Sequence, residues 1–335
     1  MRDILGAKVQ KGEHKQINIS IGYLANGLEL TIPLHVYRGQ EDGPTLLMTS
    51  LAHGDATTGF EIIRQTVQQL DLNKLKGTVL AMPCLNPIAF EWDSRNTPID
   101  MQNMNRAFPG KADGWLTDRL AAAVSPVCDY ADALLDWHGG GYGSAINYVL
   151  YDYVEGELGE RVKEMAFNYG LEILYNGKPA GPSYQYEGSL VKYMLGLGKP
   201  GIIPEVGTGM GLKIDIIESS VRGNFNTMKW MGMIEGKPIL PKKQYLIKHR
   251  PLLRPSNGGM FYPICGPEYL NKWVKKGTVI AQVRNVRTME VIEEIIAPCE
   301  KTVFMNMRGL MTKVHPGDYA YILGDLSTAE VHEND

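Results

Sequence analysis

The spacing of apolar side chains divides this chain into three stretches. Between residues 15 and 40 apolar and polar positions alternate, most clearly in Leu28-Glu-Leu-Thr-Ile-Pro-Leu-His-Val-Tyr37, which predicts a hairpin of half-exposed strands at the edge of a sheet. From Thr45 the pattern changes: the run Thr45-Leu-Leu-Met-Thr-Ser-Leu-Ala52 is uninterrupted and ends in a turn, as suits a strand buried on both faces of a parallel sheet. Helical spacing follows near 58–70, then a strand over 77–85, a helix near 115–127 and a buried strand over 131–137. A strand at 147–151, helices near 155–169 and 188–197 and a strand at 201–206 complete the stretch. This alternation predicts an α/β fold with a mixed, largely parallel sheet flanked by helices. Over 244–325 short alternating runs are broken by Gly258-Gly259, Lys276-Gly277, Ala297-Pro298 and Pro316-Gly317-Asp318, which predicts a small C-terminal all-β domain. The expected organisation is therefore an α/β domain over residues 1–240 and a β-rich domain over 241–330, with a frayed polar tail.

Composition narrows the function classes. With 335 residues, 44% of them hydrophobic, the chain is long enough to bury a large core. A net charge of −3 and the lack of any Lys/Arg block argue against a nucleic-acid surface, which needs a concentrated basic face. The N-terminus is mixed and polar, and no segment approaches the ~20 apolar residues of a membrane span, so a cytoplasmic protein without a membrane partner is expected. Cys84, Cys128, Cys265 and Cys299 are far apart and form no Cys-x-x-Cys pair, which indicates neither a disulfide framework nor a cysteine zinc site.

Candidate chemistry gathers where the buried strands end. His53 follows the first of them, before the turn at Gly54-Asp55; His138 follows the strand ending at Trp137 and precedes Gly139-Gly-Gly141; Glu205 ends a third strand at the turn beginning with Gly207. Ligands bind at the carboxyl ends of strands in open α/β sheets, because the loops there vary while the sheet stays fixed. Two neutral imidazoles and a carboxylate make the three-ligand zinc site of a hydrolase, with a second carboxylate as base for the activated water. Each of these residues also has an ordinary reading, as a turn cap or a solvated loop side chain. The long connection from Asn86 to Gly110 carries Arg95 and Asn105-Arg106, and arginines there can clamp a substrate carboxylate or counter an oxyanion, or merely tie the loop down. Tyr184 and Tyr186 sit in a glycine-bounded loop as pocket or packing residues.

Taken together, His53-Gly-Asp55, Asn86-Pro-x-Ala-Phe90, Asn105-Arg-x-Phe-Pro-Gly110, Asp136-x-His138 and Pro204-Glu205-x-Gly207 resemble the succinylglutamate desuccinylase/aspartoacylase family, the deacylase branch of the zinc carboxypeptidase clan. The resemblance spans about residues 40–325. It implies one zinc per chain held by His53 and His138, Glu205 as the general base, and Asn105 and Arg106, with Arg95 as a further candidate, on the substrate. It implies a zinc carboxypeptidase-like domain whose substrate is a small N-acyl amino acid or related amine, and leaves open whether the chain forms a homo-oligomer. One position departs from the pattern: the family's ligand Glu, three residues after the first histidine, is Ala56 here. Asp55 is the first candidate for the missing ligand, Asp136 or water the second, and loss of the metal the third. The expected function is a metal-dependent amide hydrolase that removes an acyl group; the alternatives are a carboxypeptidase-like metallopeptidase and a non-catalytic binding protein that lost its metal.

Overall fold

The computed structural model describes residues 2–141, 143–177, 187–208 and 214–334. Two short strands, β1 (Arg2–Ile4) and β2 (Ala7–Val9), pair with each other ahead of the long hairpin of β3 (His14–Tyr23) and β4 (Glu29–Arg38). Along β4 every second residue is buried, and Leu30, Ile32, Leu34 and Val36 form its apolar face. This is the alternating stretch of the sequence, and β3 lies at the end of the strand order, as an edge hairpin should.

The buried runs form β5 (Glu41–Thr49), β6 (Lys76–Met82), β7 (Ala133–Asp136) and, later, β10 (Gly201–Thr208). They lie in the order β6-β5-β7-β10 with every neighbouring pair parallel, so the chain reversals after β5, β7 and β10 emerge side by side. Successive residues of β5 serve opposite layers. Leu46 and Met48 pack with Ile62 and Ile63 of α1 (Thr58–Gln69), while Leu47 packs with Leu120 and Val124 of α3 (Leu116–Cys128). Between them the chain passes through the short α2 (Pro87–Glu91). Burying each such side chain is worth about 1.5–3 kcal/mol, and the two-sided burial explains why these runs carry no polar alternation.

Antiparallel strand β8 (Ser144–Asp152) turns the sheet: it pairs with β10 on one side and is followed by α4 (Gly156–Tyr169), the parallel strand β9 (Ile173–Gly177), α5 (Leu190–Gly196) and, after β10, α6 (Ile214–Trp230). Beyond residue 240 the described chain is strands and tight turns, as expected. β11 (Lys243–Ile247) joins β9, and β12 (Leu252–Leu253), β13 (Gly259–Pro263), β14 (Trp273–Lys275), β15 (Val279–Arg284) and β16 (Val291–Ile296) lead to β17 (Lys301–Arg308), β18 (Thr312–Val314), β19 (Tyr321–Asp325) and β20 (Glu330–Glu333). β13, β15, β16 and β18 make a separate sheet, whereas β17 pairs with β8 and so continues the main one.

Helix α1 lies close on the sheet because Gly59 has no side chain: a Cβ there would stand 2.7 Å from Trp137 Cβ and 2.8 Å from Ser50 Cβ. Trp137 is itself pinned beneath, its Nε1 donating to Tyr169 Oη at 3.3 Å. Gly59→Ala is therefore expected to cost about 1–3 kcal/mol by overpacking, read as a lower midpoint of thermal unfolding with the secondary structure retained.

Candidate active site

The site is built on register. Thr49 and Asp136 are cross-strand partners at the ends of β5 and β7, and both are fully buried. Thr49 Oγ1 donates to Asp136 Oδ1 at 2.7 Å, and Asp136 Oδ2 lies 3.0 Å from His138 Nε2. Residues two apart on a strand share a face, so Asp136 reaches the imidazole beyond it. The backbone of His138 then bridges to β10: its N–H donates to Pro204 O at 3.2 Å, and its carbonyl accepts from Val206 N at 2.9 Å, which puts Glu205 beside it.

From β5 the chain leaves through Leu51, held at φ 57° in the left-handed region, an unfavourable setting for a residue with a Cβ. Gly54 follows, where a Cβ would collide with the backbone of Ala89 and Phe90 in α2. This close approach turns His53 inward, 3% exposed, with its ring centroid 5.1 Å from that of His138. His53 Nδ1 lies 3.0 Å from the carbonyl of Arg95, an acceptor only, so Nδ1 carries the hydrogen and the lone pair of the neutral ring is on Nε2.

The motif beginning at Asn86 has a structural role: Asn86 Oδ1 accepts from Ala89 N at 3.1 Å, capping α2, and its Nδ2 donates to Thr97 Oγ1 at 2.9 Å. Asn105 is buried with Oδ1 accepting from Leu190 N at 3.0 Å, which orients its Nδ2 to within 3.2 Å of His138 Nε2. Arg95 and Arg106 are exposed at the rim.

Electrostatics separate the two histidines. Burial pushes His53 well below its usual 6.5, with His138 and Arg95 adding to the effect, so His53 is neutral at pH 7. Burial also works against the charged form of His138, but the Asp136 carboxylate outweighs it and the pKa is raised. Glu205 is raised by burial, against the opposing charges of His138, Arg95 and Arg250. Arg250 was not among the residues singled out in the sequence. It follows β11, and its guanidinium stacks 4.3 Å above the ring of Tyr175. Through the pairs Glu205↔Tyr148 and Leu150↔Tyr175, register puts that ring on the Glu205 face of the sheet. No local motif marks Arg250; only the pairing of β9 with β8 and β11 brings it there.

The structure thus gathers His53, His138, Asp136, Glu205 and Asn105, with Arg95 and Arg106 at the edge. It does not bring Asp55 to the imidazoles. The Asp55 carboxylate stands against Gly141, its Oδ1 buried without a hydrogen-bond partner and its pKa raised by burial. Ala56 packs its methyl on the residue after His138: a Cβ on Gly139 would be 3.4 Å from it. Among the described residues no three His, Cys, Asp or Glu side chains converge closely enough to hold an ion. The two imidazoles have no carboxylate placed with them as a third ligand: Asp136 is instead engaged by Thr49 and His138, and this arrangement does not complete a three-ligand zinc site. Tyr184 and Tyr186 lie outside the described residues.

A model of the succinylglutamate desuccinylase/aspartoacylase catalytic domain matches residues 42–231. The N-alpha-acetyl-L-2,4-diaminobutyric acid deacetylase of Halomonas elongata is 25% identical over 305 residues, covering 88% of this chain and 86% of that protein. Among solved structures, a succinylglutamate desuccinylase from Silicibacter sp. TM1040 superposes with a TM-score of 0.82 at 21% identity, over 95% of this chain and 97% of that one. The product-bound ectoine utilization protein EutE (DoeB) of Ruegeria pomeroyi gives 0.81 at 21% identity, over 93% and 95%. At these identities the two structures speak to the fold.

The Asp136–His138 pair has a pH signature. Because the pair raises the folded pKa of His138 above 6.5, its contribution to stability is fully present below that value and is lost as pH rises through the folded pKa. Asp136→Asn is expected to lower the His138 pKa in an NMR titration, and to destabilise the protein more at pH 5.5 than at pH 8.5.

Proposed function

This chain belongs to the succinylglutamate desuccinylase/aspartoacylase family, and on that premise we propose that it hydrolyses the amide of a small N-acyl amino acid or related amine, releasing the acyl group. The observation that supports this reading is the placing of Glu205 beside His138 at the ends of the parallel strands, with arginines at the rim. Burial raises the Glu205 pKa, a property suited to a group that takes a proton from water and returns it to the leaving amine. Arg106, with Arg95, counters the negative charge that grows on the carbonyl oxygen as water adds, or holds the carboxylate of the amino acid. Asn105, fixed by Leu190 N, holds the arginine-bearing loop against His138. Glu205→Gln is expected to lower the release of free amine from an N-acetyl amino acid by at least about 100-fold while leaving the unfolding midpoint unchanged or higher. Turnover that survives in this variant removes Glu205 from the reaction.

His53 and His138 are the residues able to hold a zinc here, and we propose that Ala56 leaves that site short of a donor. Elemental analysis should find well under one zinc per chain in the native protein and close to one in Ala56→Glu, with faster amine release in the variant. A full equivalent in the native protein would mean that another group supplies the missing donor. The same methyl favours a second reading, a binding protein that keeps the pocket without the chemistry. Absence of amine release from both proteins, with the N-acyl amino acid still bound, would select it.

A further inference from the structure

At the other end of the same strands lies a cavity of about 430 Å³, lined by Arg2, Lys11 and Arg38 with Asp42, Thr78 and the backbone of Gly43 and Gly77. Asp42 and Gly43 begin β5, and Gly77 and Thr78 begin β6, so the cavity sits about 20 Å from His53 at ~3.3 Å per strand residue. Its lining carries three cations and one carboxylate in a chain whose net charge is −3.

Partners within the protein compensate this charge only in part. Asp42 serves two cations at once: Arg38 Nη2 at 3.0 Å and Lys11 Nζ at 3.1 Å, with its own side chain 76% exposed. Arg38 is 6% exposed, and its other bond is to a neutral acceptor, Val9 O at 2.9 Å. Arg2 has no ion pair among the described residues: Nη1 donates to Thr78 Oγ1 at 3.0 Å and Nη2 to Tyr130 O at 3.2 Å. Burial lowers the Arg2 pKa, opposed by the Asp132 and Asp42 charges and reinforced by the neighbouring Arg38 charge. Tying the first strand to the sheet needs one such contact, not three cations turned to one concave surface, where like charges repel and low-dielectric walls concentrate the field.

We propose that this cavity binds a phosphate group, carried by a small molecule. Each guanidinium has five N–H donors, of which the bonds above use two, so both keep donors for a tetrahedral oxyanion, and the lysine adds a mobile point charge. Thr78, whose oxygen accepts from Arg2, keeps its own hydroxyl hydrogen to donate. Three cations against one carboxylate in the lining, with Asp132 acting on Arg2 from beside it, leave a net positive charge for an anion, and the volume falls in the ~300–1,000 Å³ range of small-molecule sites. This site uses none of the residues of the strand-end cluster and stands apart from the deacylase reading.

The test is calorimetric titration of the full chain with inorganic phosphate, against acetate and chloride at matched ionic strength. Saturable binding of one phosphate per chain is expected, with no comparable signal from acetate. Lys11→Ala and Arg2→Gln should each weaken it about tenfold, and Lys237→Ala, an exposed lysine elsewhere, should not. Thr78→Val, which keeps every charge, should weaken it about threefold through the lost hydroxyl. Phosphate binding no tighter than acetate, or unchanged in the folded Arg2→Gln/Lys11→Ala double variant, overturns the proposal.

Discussion

A carboxylate with no exposure to water, Asp136, sets the geometry on which the rest of the site depends. Removing an ionised carboxylate from water costs several kcal/mol unless hydrogen bonds replace the lost hydration. Here Thr49 from the neighbouring strand and His138 from the following turn supply them. A slip of one residue between β5 and β7 would turn Thr49 to the opposite face and strand the charge, so the bond selects one register. With that register fixed, the turns after β5 and β7 lie side by side and the two imidazoles approach each other. Bridging from His138 to Pro204 and Val206 carries the same register on to β10 and Glu205.

The arrangement separates two kinds of cost. The buried carboxylate is compensated locally, whereas Leu51 with a positive φ is a strain that only the surrounding fold can sustain, and the close approach to α2 leaves room for no side chain at Gly54. Both positions lie within two residues of His53. A chain needing only a tight turn after β5 has cheaper ways to make one. Ala56 occupies this otherwise demanding corner with a side chain that demands nothing, packed on Gly139. The corner therefore retains the geometry that presents two imidazoles to each other, with a methyl group beside them.

Much of this was legible in the sequence, for identifiable reasons. Burial on both faces removes polar alternation, so the uninterrupted run at 45–52 and the apolar-centred stretch at 131–137 identify central strands, and the glycines after them identify the turns that carry His53 and His138. The alternating hairpin was legible because only one of its faces meets the core. Pairing partners were not, since hydrophobic period reports which face is buried and not which strand lies alongside. The attachment of β17 to β8 and of β11 to β9, and with them the approach of Arg250 to Glu205, is invisible at that level. Asp55 shows the complementary limit. Its place one position before Ala56 made it the first candidate for the missing ligand, whereas its carboxylate lies against Gly141.

The parallel strands also impose an asymmetry that composition hides. β5 and β6 carry apolar side chains through their length, so polar chemistry can collect only where they begin and where they end. At their carboxyl ends a carboxylate and two imidazoles meet with most of their charge compensated inside the protein. Near their amino ends Lys11 and Arg38 share one exposed carboxylate, and Arg2 lies beside them bonded only to neutral acceptors. About 20 Å of sheet, more than twice the ~8 Å screening length at physiological salt, separates the two ends, so a chain of modest net negative charge still presents a concentrated positive cavity. Net charge thus bears on the surface as a whole, and the sheet decides where an anion meets it.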